Sequence, residues 1–131
     1  MSKYLPYHEP SIVKAKELCV GMTDPKAKCK AIKDFVNHGF CYDYVKAINI
    51  PKRGGLPDID SCWKKHMGIC GDLAAMTTGM MRAVGIKAYL IIGHADRICH
   101  AWVETPWGIY DPTLVVTKGK KPTRYKKERI Y

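Results

Sequence analysis

The chain has 131 residues, of which 47% are hydrophobic and 26% charged, so it fits one globular domain and leaves no room for a second of ordinary size. No apolar stretch approaches the roughly 18 residues that span a bilayer, and the polar start from Met1 to Pro10 lacks the apolar core of a signal peptide. These features exclude a membrane-spanning helix and predict a cytoplasmic protein, or a secreted or cell-surface one if a leader has been removed.

The net charge of +10 is concentrated at the C-terminus. Residues 118–131 hold seven basic residues against Glu128 alone, a net charge of +6, so the rest of the chain carries only +4. We therefore predict one domain over residues 1–117 and a solvated basic tail over residues 118–131. The tail has no aromatic-basic alternation and no known nucleic-acid motif, so nucleic acid is not favoured as a partner.

Two helices are predicted in the first third of the chain. Ser11 precedes an amphipathic run that ends before Gly21, which indicates a short first helix. The second helix has a stronger start signal, because the Asp24 side chain can accept from free amides and Pro25 suits the first helical turn. Apolar residues then follow at helical spacing until Gly39, where this helix is predicted to end.

The middle of the chain carries weaker signals. Residues 40–45 are predicted to be extended, and residues 51–57, which are rich in Gly and Pro, to form a loop. Asp60 and Ser61 are predicted to cap a short helix that Gly68 ends.

A longer helix and a sheet are predicted in the second half. The helix runs from Cys70 to Val84, with one apolar stripe and Gly85 beyond its end. The period then becomes strand-like, and strands are predicted over residues 86–93, 98–103 and 108–113. Helices followed by an antiparallel sheet predict an α+β fold.

Cys70 stands at the start of the best-defined helix of the chain. The free amides and the dipole of a helix N-terminus favour a thiolate over a thiol. The same amides could stabilise an oxyanion during acyl transfer. A thiolate nucleophile also needs a base that moves protons and a group that orients the base.

His100 and Asp111 are the candidates for base and orienting group. A four-residue loop over residues 104–107 would pair position 103 with 108, and therefore His100 with Asp111. Directly opposed side chains are roughly 5 Å apart at Cβ, close enough for the carboxylate to hold the imidazole. A register in which 102 lies opposite 111 would still leave the two residues diagonal on one face, since only an odd shift breaks the parity.

Four sequence blocks carry a resemblance to a known family. The chain resembles the transglutaminase-like superfamily over about residues 26–114, in the order and spacing of these blocks: GICGDLA at 68–74, MRAVGI at 81–86, HAWVE at 100–104 and WGIYDPT at 107–113.

This resemblance implies a papain-like cysteine proteinase or transglutaminase core, in which a nucleophile helix packs on an antiparallel sheet. It also implies that residues 1–117 are the catalytic domain and that Cys70, His100 and Asp111 form a catalytic triad. Small microbial members are thought to be peptidases or amidases. Calcium dependence is not implied, because the chain lacks the flanking domains and the calcium loops of the large animal enzymes.

The expected activity is cysteine-dependent acyl transfer on a peptide or glutamine amide, with a peptide or protein as substrate and no cofactor or metal. We expect hydrolysis, with protein cross-linking as the alternative, because a small domain offers little surface to exclude water. Trp63 is a candidate substrate or oxyanion residue, although packing in the core explains it equally simply. Tyr42 and Tyr44 are weaker candidates for the border of the cleft.

Three other interpretations remain open. The same fold could serve as a non-enzymatic module that binds protein or nucleic acid, or as an acetyltransferase with the same order of triad residues. A zinc site is conceivable because Cys62, His66 and Cys70 fall at helical spacing, although Gly68 should break that helix.

The six cysteines are expected to be mostly reduced, because a core of this size needs no disulfides. Cys19 and Cys29 are the first pair to examine for a bridge. The sequence contains no signal for an oligomeric state.

Overall fold

The computed structural model describes residues 2–50 and 55–131, so residues 51–54 of the predicted loop lie outside the described part of the chain. The helices are α1 (Glu9–Leu18), α2 (Pro25–Gly39), α3 (Tyr44–Asn49), α4 (Ile59–Lys65), α5 (Cys70–Ala83) and α6 (Pro112–Thr117). The strands are β1 (Cys41–Tyr42), β2 (Met67–Gly68), β3 (Tyr89–Ala95), β4 (Ile98–Thr105), β5 (Gly108–Tyr110) and β6 (Tyr125–Ile130).

Both N-terminal helices form where the sequence predicted them. The Asp24 side chain accepts from the amide of Lys26, and α2 ends at Gly39, as expected. The start of α1 differs from the prediction, since the helix begins at Glu9 rather than after Ser11. His8 is its cap, and the His8 ring accepts from the Ser11 amide in the way that Asp or Ser usually does.

The middle segment differs from the prediction in two places. The extended stretch is limited to β1, because Asp43 accepts from the amide of Lys46 and starts α3. The short helix α4 is capped by Asp58, which accepts from the Ser61 amide, and not by Asp60 or Ser61. Each difference follows from an aspartate that can cap a helix as easily as it can lie in a loop.

Helix α5 forms the centre of the core. Leu73, Met76 and Met80 on this helix are fully buried, and α5 packs against α1, α2 and the sheet strand β4. Gly85 follows the helix with a positive φ of 87°, a conformation that glycine adopts without strain, so the predicted end of this helix is confirmed.

The sheet has the order β5-β4-β3-β6, and every neighbouring pair is antiparallel. Helices on an antiparallel sheet confirm the predicted α+β architecture. The described part of the chain contains no helix that is both long and apolar enough to cross a membrane.

The β4–β5 hairpin has a different loop from the one predicted. Thr105 pairs with Gly108 and Val103 with Tyr110, so the loop has two residues instead of four. The same register, continued, sets position 102 opposite Asp111. This is an even shift, and His100 and Asp111 therefore remain on one face of the sheet.

The C-terminal segment is not the solvated tail that its charge suggested. Residues 125–130 form β6, which pairs with β3 along the edge of the sheet. The strand partly buries Tyr125 against the sheet, while the lysines and arginine that follow it remain exposed. A strand with one partly buried tyrosine and several exposed cations explains why a prediction based on charge alone was wrong for these residues.

Candidate active site

Cys70 is the first residue of α5, and the chain just before it is tightly packed. A Cβ atom added to Gly68 would lie 2.8 Å from both the Cβ of Asp72 and the Sγ of Cys62. Glycine is therefore required for this approach, which fixes the path of the backbone into the helix. The Cys70 side chain itself is only partly buried and so remains accessible.

Asp72 holds the start of α5 in place. Its buried carboxylate accepts from the amide of Ile69 at 3.1 Å, which is the capping role expected for a residue in the first turn. It also accepts from the amide of Asp58 at 2.9 Å and from the Lys46 ammonium at 2.7 Å. One carboxylate thus ties the beginning of α5 to the segments of α3 and α4.

The structure brings His100 and Asp111 together. Nε2–H of His100 donates to Oδ2 of Asp111 at 2.8 Å, and the two side chains are 14% and 4% exposed. The other carboxylate oxygen accepts from the Leu114 amide at 3.3 Å, because Asp111 also caps α6. With Nε2 committed to the carboxylate, Nδ1 is the ring nitrogen left for Cys70.

The surroundings of His100 favour its charged form. Burial alone would lower the pKa of the imidazole, but hydrogen bonds with Asp111 and with Cys70, together with their negative charges, raise it to about 9. The imidazole is therefore protonated at neutral pH, which is the state that pairs with a thiolate. The contribution of Cys70 to this pKa indicates that its sulfur lies near the ring.

Tyr42 also lies near the sulfur. It pairs with Gly68 in the short parallel ladder of β1 and β2, two residues before Cys70. Burial, followed by the nearby charge of Cys70, raises the pKa of its phenol. The Tyr44 ring contacts the Tyr42 ring at a centroid distance of 4.9 Å. Tyr42 is thus the aromatic side chain near Cys70, and Tyr44 packs on its ring.

Tyr125 is a residue of the site that the sequence analysis missed. Its hydroxyl donates to Oδ2 of Asp111 at 3.0 Å, the same oxygen that accepts from His100. Tyr125 lies beyond the blocks that resemble the family and inside the segment dominated by positive charge. The only signal for it was the strand-forming preference of tyrosine and isoleucine in the run YKKERI, which the charges obscured.

Trp63 lies within an aromatic cluster on α2 and α4. Its ring is 6.0 Å from that of Phe35, 6.1 Å from that of Phe40 and 6.4 Å from that of His66, measured between centroids. These contacts account for the residue by packing. A role for Trp63 towards substrate or oxyanion stays a prediction.

The remaining cysteines and histidines do not form a metal centre in the part of the chain that the structure describes, where no three side chains of the ligating types are grouped. Burial raises the pKa of the Cys62 thiol to about 12, which keeps the thiol protonated. All six cysteines are free, including the pair Cys19 and Cys29.

A thiol at a helix N-terminus beside a His–Asp pair on an antiparallel sheet defines the class of cysteine-based enzymes with a papain-like core. The transglutaminase-like superfamily model matches residues 14–113, and the chain belongs to this family. No curated protein matches the chain.

Three solved structures share the fold. A proposed cysteine protease from Cytophaga hutchinsonii is 20% identical, with a TM-score of 0.65 over 88% of this chain and 40% of that one. The periplasmic domain of TgpA from Pseudomonas aeruginosa is 25% identical, with a TM-score of 0.63 over 88% and 47%. A TGase is 17% identical, with a TM-score of 0.63 over 90% and 33%.

The chain therefore spans less than half the length of these solved proteins. Membership of the family supports a cysteine-based enzymatic function.

Proposed function

We propose that the protein is a cysteine-dependent acyl-transfer enzyme that acts on peptide or glutamine amides through a thioester, with water as the favoured acceptor. The observation that carries the proposal is the 2.8 Å hydrogen bond between His100 and Asp111, next to Cys70 at the start of α5. The raised pKa of His100, to which Cys70 contributes, supports it. The three residues supply a nucleophile, a proton donor and an orienting carboxylate.

The first half of the reaction forms the thioester. The Cys70 thiolate attacks the amide carbonyl carbon, and the carbonyl oxygen becomes an oxyanion. The C–N bond then breaks, and His100 gives its proton to the departing nitrogen so that a neutral amine or ammonia leaves. Asp111 keeps the ring oriented and stabilises its positive charge before the transfer.

The second half releases the acyl group. Neutral His100 takes a proton from water, whose oxygen attacks the thioester carbon. The C–S bond breaks, the thiolate returns and a carboxylic acid leaves. With an amine in place of water the same steps produce a new amide, which is the cross-linking alternative.

The oxyanion can be held by backbone amides at the start of α5. The first-turn amides of a helix have no carbonyl partner within it, so that of Cys70 is free to donate to a bound substrate.

Water is the favoured acceptor because transfer to an amine requires that water be kept away from the thioester. The Cys70 side chain is only partly buried, so water can reach it. The choice is tested by incubating the protein with a glutamine peptide and a primary amine. Amine incorporation well above hydrolysis would show that an amine, and not water, is the favoured acceptor.

The enzyme proposal itself is tested by covalent trapping at neutral pH with a peptide-like electrophile, located by mass spectrometry. Cys41 and Cys99 are internal controls, because both are more exposed than Cys70 but lie outside the His–Asp pair. Preferential labelling of Cys70, lost in His100→Ala, is expected. Labelling in order of exposure would instead favour a non-enzymatic binding module.

A further inference from the structure

Tyr125 and His100 share one carboxylate oxygen. Oδ2 of Asp111 accepts from Nε2 of His100 at 2.8 Å and from the Tyr125 hydroxyl at 3.0 Å. A carboxylate whose plane twisted or tilted away from these two donors would lose both bonds at once. The phenol therefore constrains the oxygen that faces the imidazole.

The Tyr125 ring is held in place by Trp102. The two ring centroids are 4.9 Å apart at an angle of 61°, and Trp102 is fully buried. Trp102 also contacts the His100 ring, with a centroid distance of 6.1 Å and an interplanar angle of 29°. Four side chains thus form a closed circuit, with two ring contacts and two hydrogen bonds joining His100, Trp102, Tyr125 and Asp111.

The backbone on both sides of Tyr125 is anchored, on one side to Asp96 in the turn after β3 and on the other to β3 itself. Just before it, Asp96 accepts from the amides of Thr123 at 3.2 Å and Arg124 at 2.9 Å. Just after it, the Lys126 carbonyl comes so near Gly93 that a Cβ there would lie 2.0 Å from the oxygen. The start of β6 therefore has little freedom, which is what a fixed hydroxyl position requires.

We propose that Tyr125 is a positioning residue that fixes Asp111 against His100 and tunes the charge that the carboxylate presents to the imidazole. The proposal rests on the proposed function for its catalytic meaning, but the contact itself can be measured without turnover. Burial and the Asp111 charge raise the pKa of the Tyr125 phenol, so the hydroxyl keeps the proton that it donates.

Removal of this hydroxyl has a defined electrostatic consequence. A phenol that donates to Oδ2 draws negative charge away from the oxygen that also holds His100. Without the donor, the carboxylate stabilises the imidazolium more strongly, so the pKa of His100 should rise above its value of about 9. A residue that served only to fill space would leave the titration of His100 unchanged.

The experiment compares histidine-labelled wild-type protein with Tyr125→Phe by NMR titration. Phenylalanine keeps the ring on Trp102 and removes only the hydroxyl. The His100 signal is assigned by its loss in His100→Gln. We expect the pKa of His100 to rise by roughly half a pH unit in Tyr125→Phe. An unchanged or lowered value would overturn the proposal.

Tyr110→Phe is the matched control, because the Tyr110 hydroxyl also donates to a side chain, that of Asn37, which lies outside the triad. The His100 titration should be the same in this variant as in the wild type. If amide turnover is found, kcat of Tyr125→Phe should fall roughly fivefold with KM unchanged, the equivalent of one hydrogen bond. Absence of turnover in the wild type would refute the proposed function and leave the titration result intact.

Discussion

At the scale of single residues, the environment of His100 is set by competing contributions. Burial lowers the pKa of the imidazole, while the partners Asp111 and Cys70 raise it, and the partners prevail. An ordinary exposed histidine, with a pKa of about 6.5, would be mostly neutral at pH 7.5. The contacts of this one side chain therefore decide whether the site holds an ion pair under physiological conditions.

Asp111→Asn tests the contribution of the carboxylate. The amide keeps the shape but loses the charge, so burial should dominate and the pKa of His100 should fall from about 9 to its ordinary value or below. Loss of the orienting charge should reduce kcat/KM by roughly 10³- to 10⁴-fold. The measurements are the histidine NMR titration and the pH profile of turnover.

Asp34→Asn is the control for this substitution, because the Asp34 carboxylate is paired with Lys30 on the exposed face of α2. In this variant the pKa of His100 and kcat/KM should both be the same as in the wild type. If the pKa of His100 stayed near 9 in Asp111→Asn, the Asp111 carboxylate would not be the cause of the raised pKa.

The raised pKa also predicts a dependence of stability on pH. A group whose pKa is higher in the folded than in the unfolded state stabilises the fold below the unfolded value, here about 6.5. The stabilisation is lost as the pH rises through about 9. We expect the difference in unfolding free energy between wild type and His100→Gln, measured by urea denaturation, to shrink between pH 6 and pH 10. A constant or growing difference would show that the sign is wrong.

The sequence was sufficient to predict the proximity of His100 and Asp111, because strand parity requires only an even register. It was not sufficient for Tyr125, and it indicated Tyr42 only as a weaker candidate for the border of the cleft. Tyr125 reaches Asp111 through a strand pairing with β3, and Tyr42 reaches Cys70 through a two-residue parallel ladder. Neither pairing has a local signal, since both depend on where distant segments come together.

At the scale of elements, the start of α5 depends on one glycine. Gly68→Ala would place a methyl group 2.8 Å from two side-chain atoms, Cβ of Asp72 and Sγ of Cys62. We expect a loss of about 1–3 kcal/mol in unfolding free energy, as for other overpacked sites. Labelling of Cys70 should also slow, because the clash displaces the first turn of α5.

Gly79→Ala on the same helix is the matched control. A Cβ at this position meets no neighbouring atom within 4 Å, and alanine favours a helix over glycine by about 1 kcal/mol. The control variant should therefore be more stable than the wild type in thermal or urea denaturation. Equal effects at both positions would contradict the steric explanation for Gly68.

The elements that the sequence predicted correctly have strong local signals. Asp24 and Pro25 begin α2, and Gly85 follows α5, because capping and positive φ depend on a few neighbouring atoms. The predicted length of the β4–β5 loop was wrong by two residues. A two-residue loop and a four-residue loop fit the same alternation of apolar and polar residues along the strands. The predicted cap of α4 was also wrong, because Asp58 and Asp60 are two aspartates that could cap this helix equally well.

At the scale of the whole molecule, the C-terminal segment over residues 118–131 contributes the edge strand of the sheet and the Tyr125 side chain of the site. Strand β6 covers the edge of β3, and the Tyr125 ring packs on the buried Trp102. The connection over residues 118–124 is exposed and basic. Charge and packing in this segment thus belong to different residues, and they can be changed separately.

Deletion of residues 118–131 should remove β6 and uncover Trp102. We expect a loss of at least about 3 kcal/mol, comparable to the removal of a large core contact, which is a large share of the 5–15 kcal/mol of a typical domain. The truncated protein should therefore unfold at a much lower temperature and bind a hydrophobic dye. The combined change of Lys120, Lys121 and Arg124 to glutamine removes charge without touching the strand, so it should leave the melting temperature unchanged. If the truncated protein melted like the wild type, the segment would be a solvated tail after all, and the contact between Tyr125 and Asp111 would have no part in the stability of the domain.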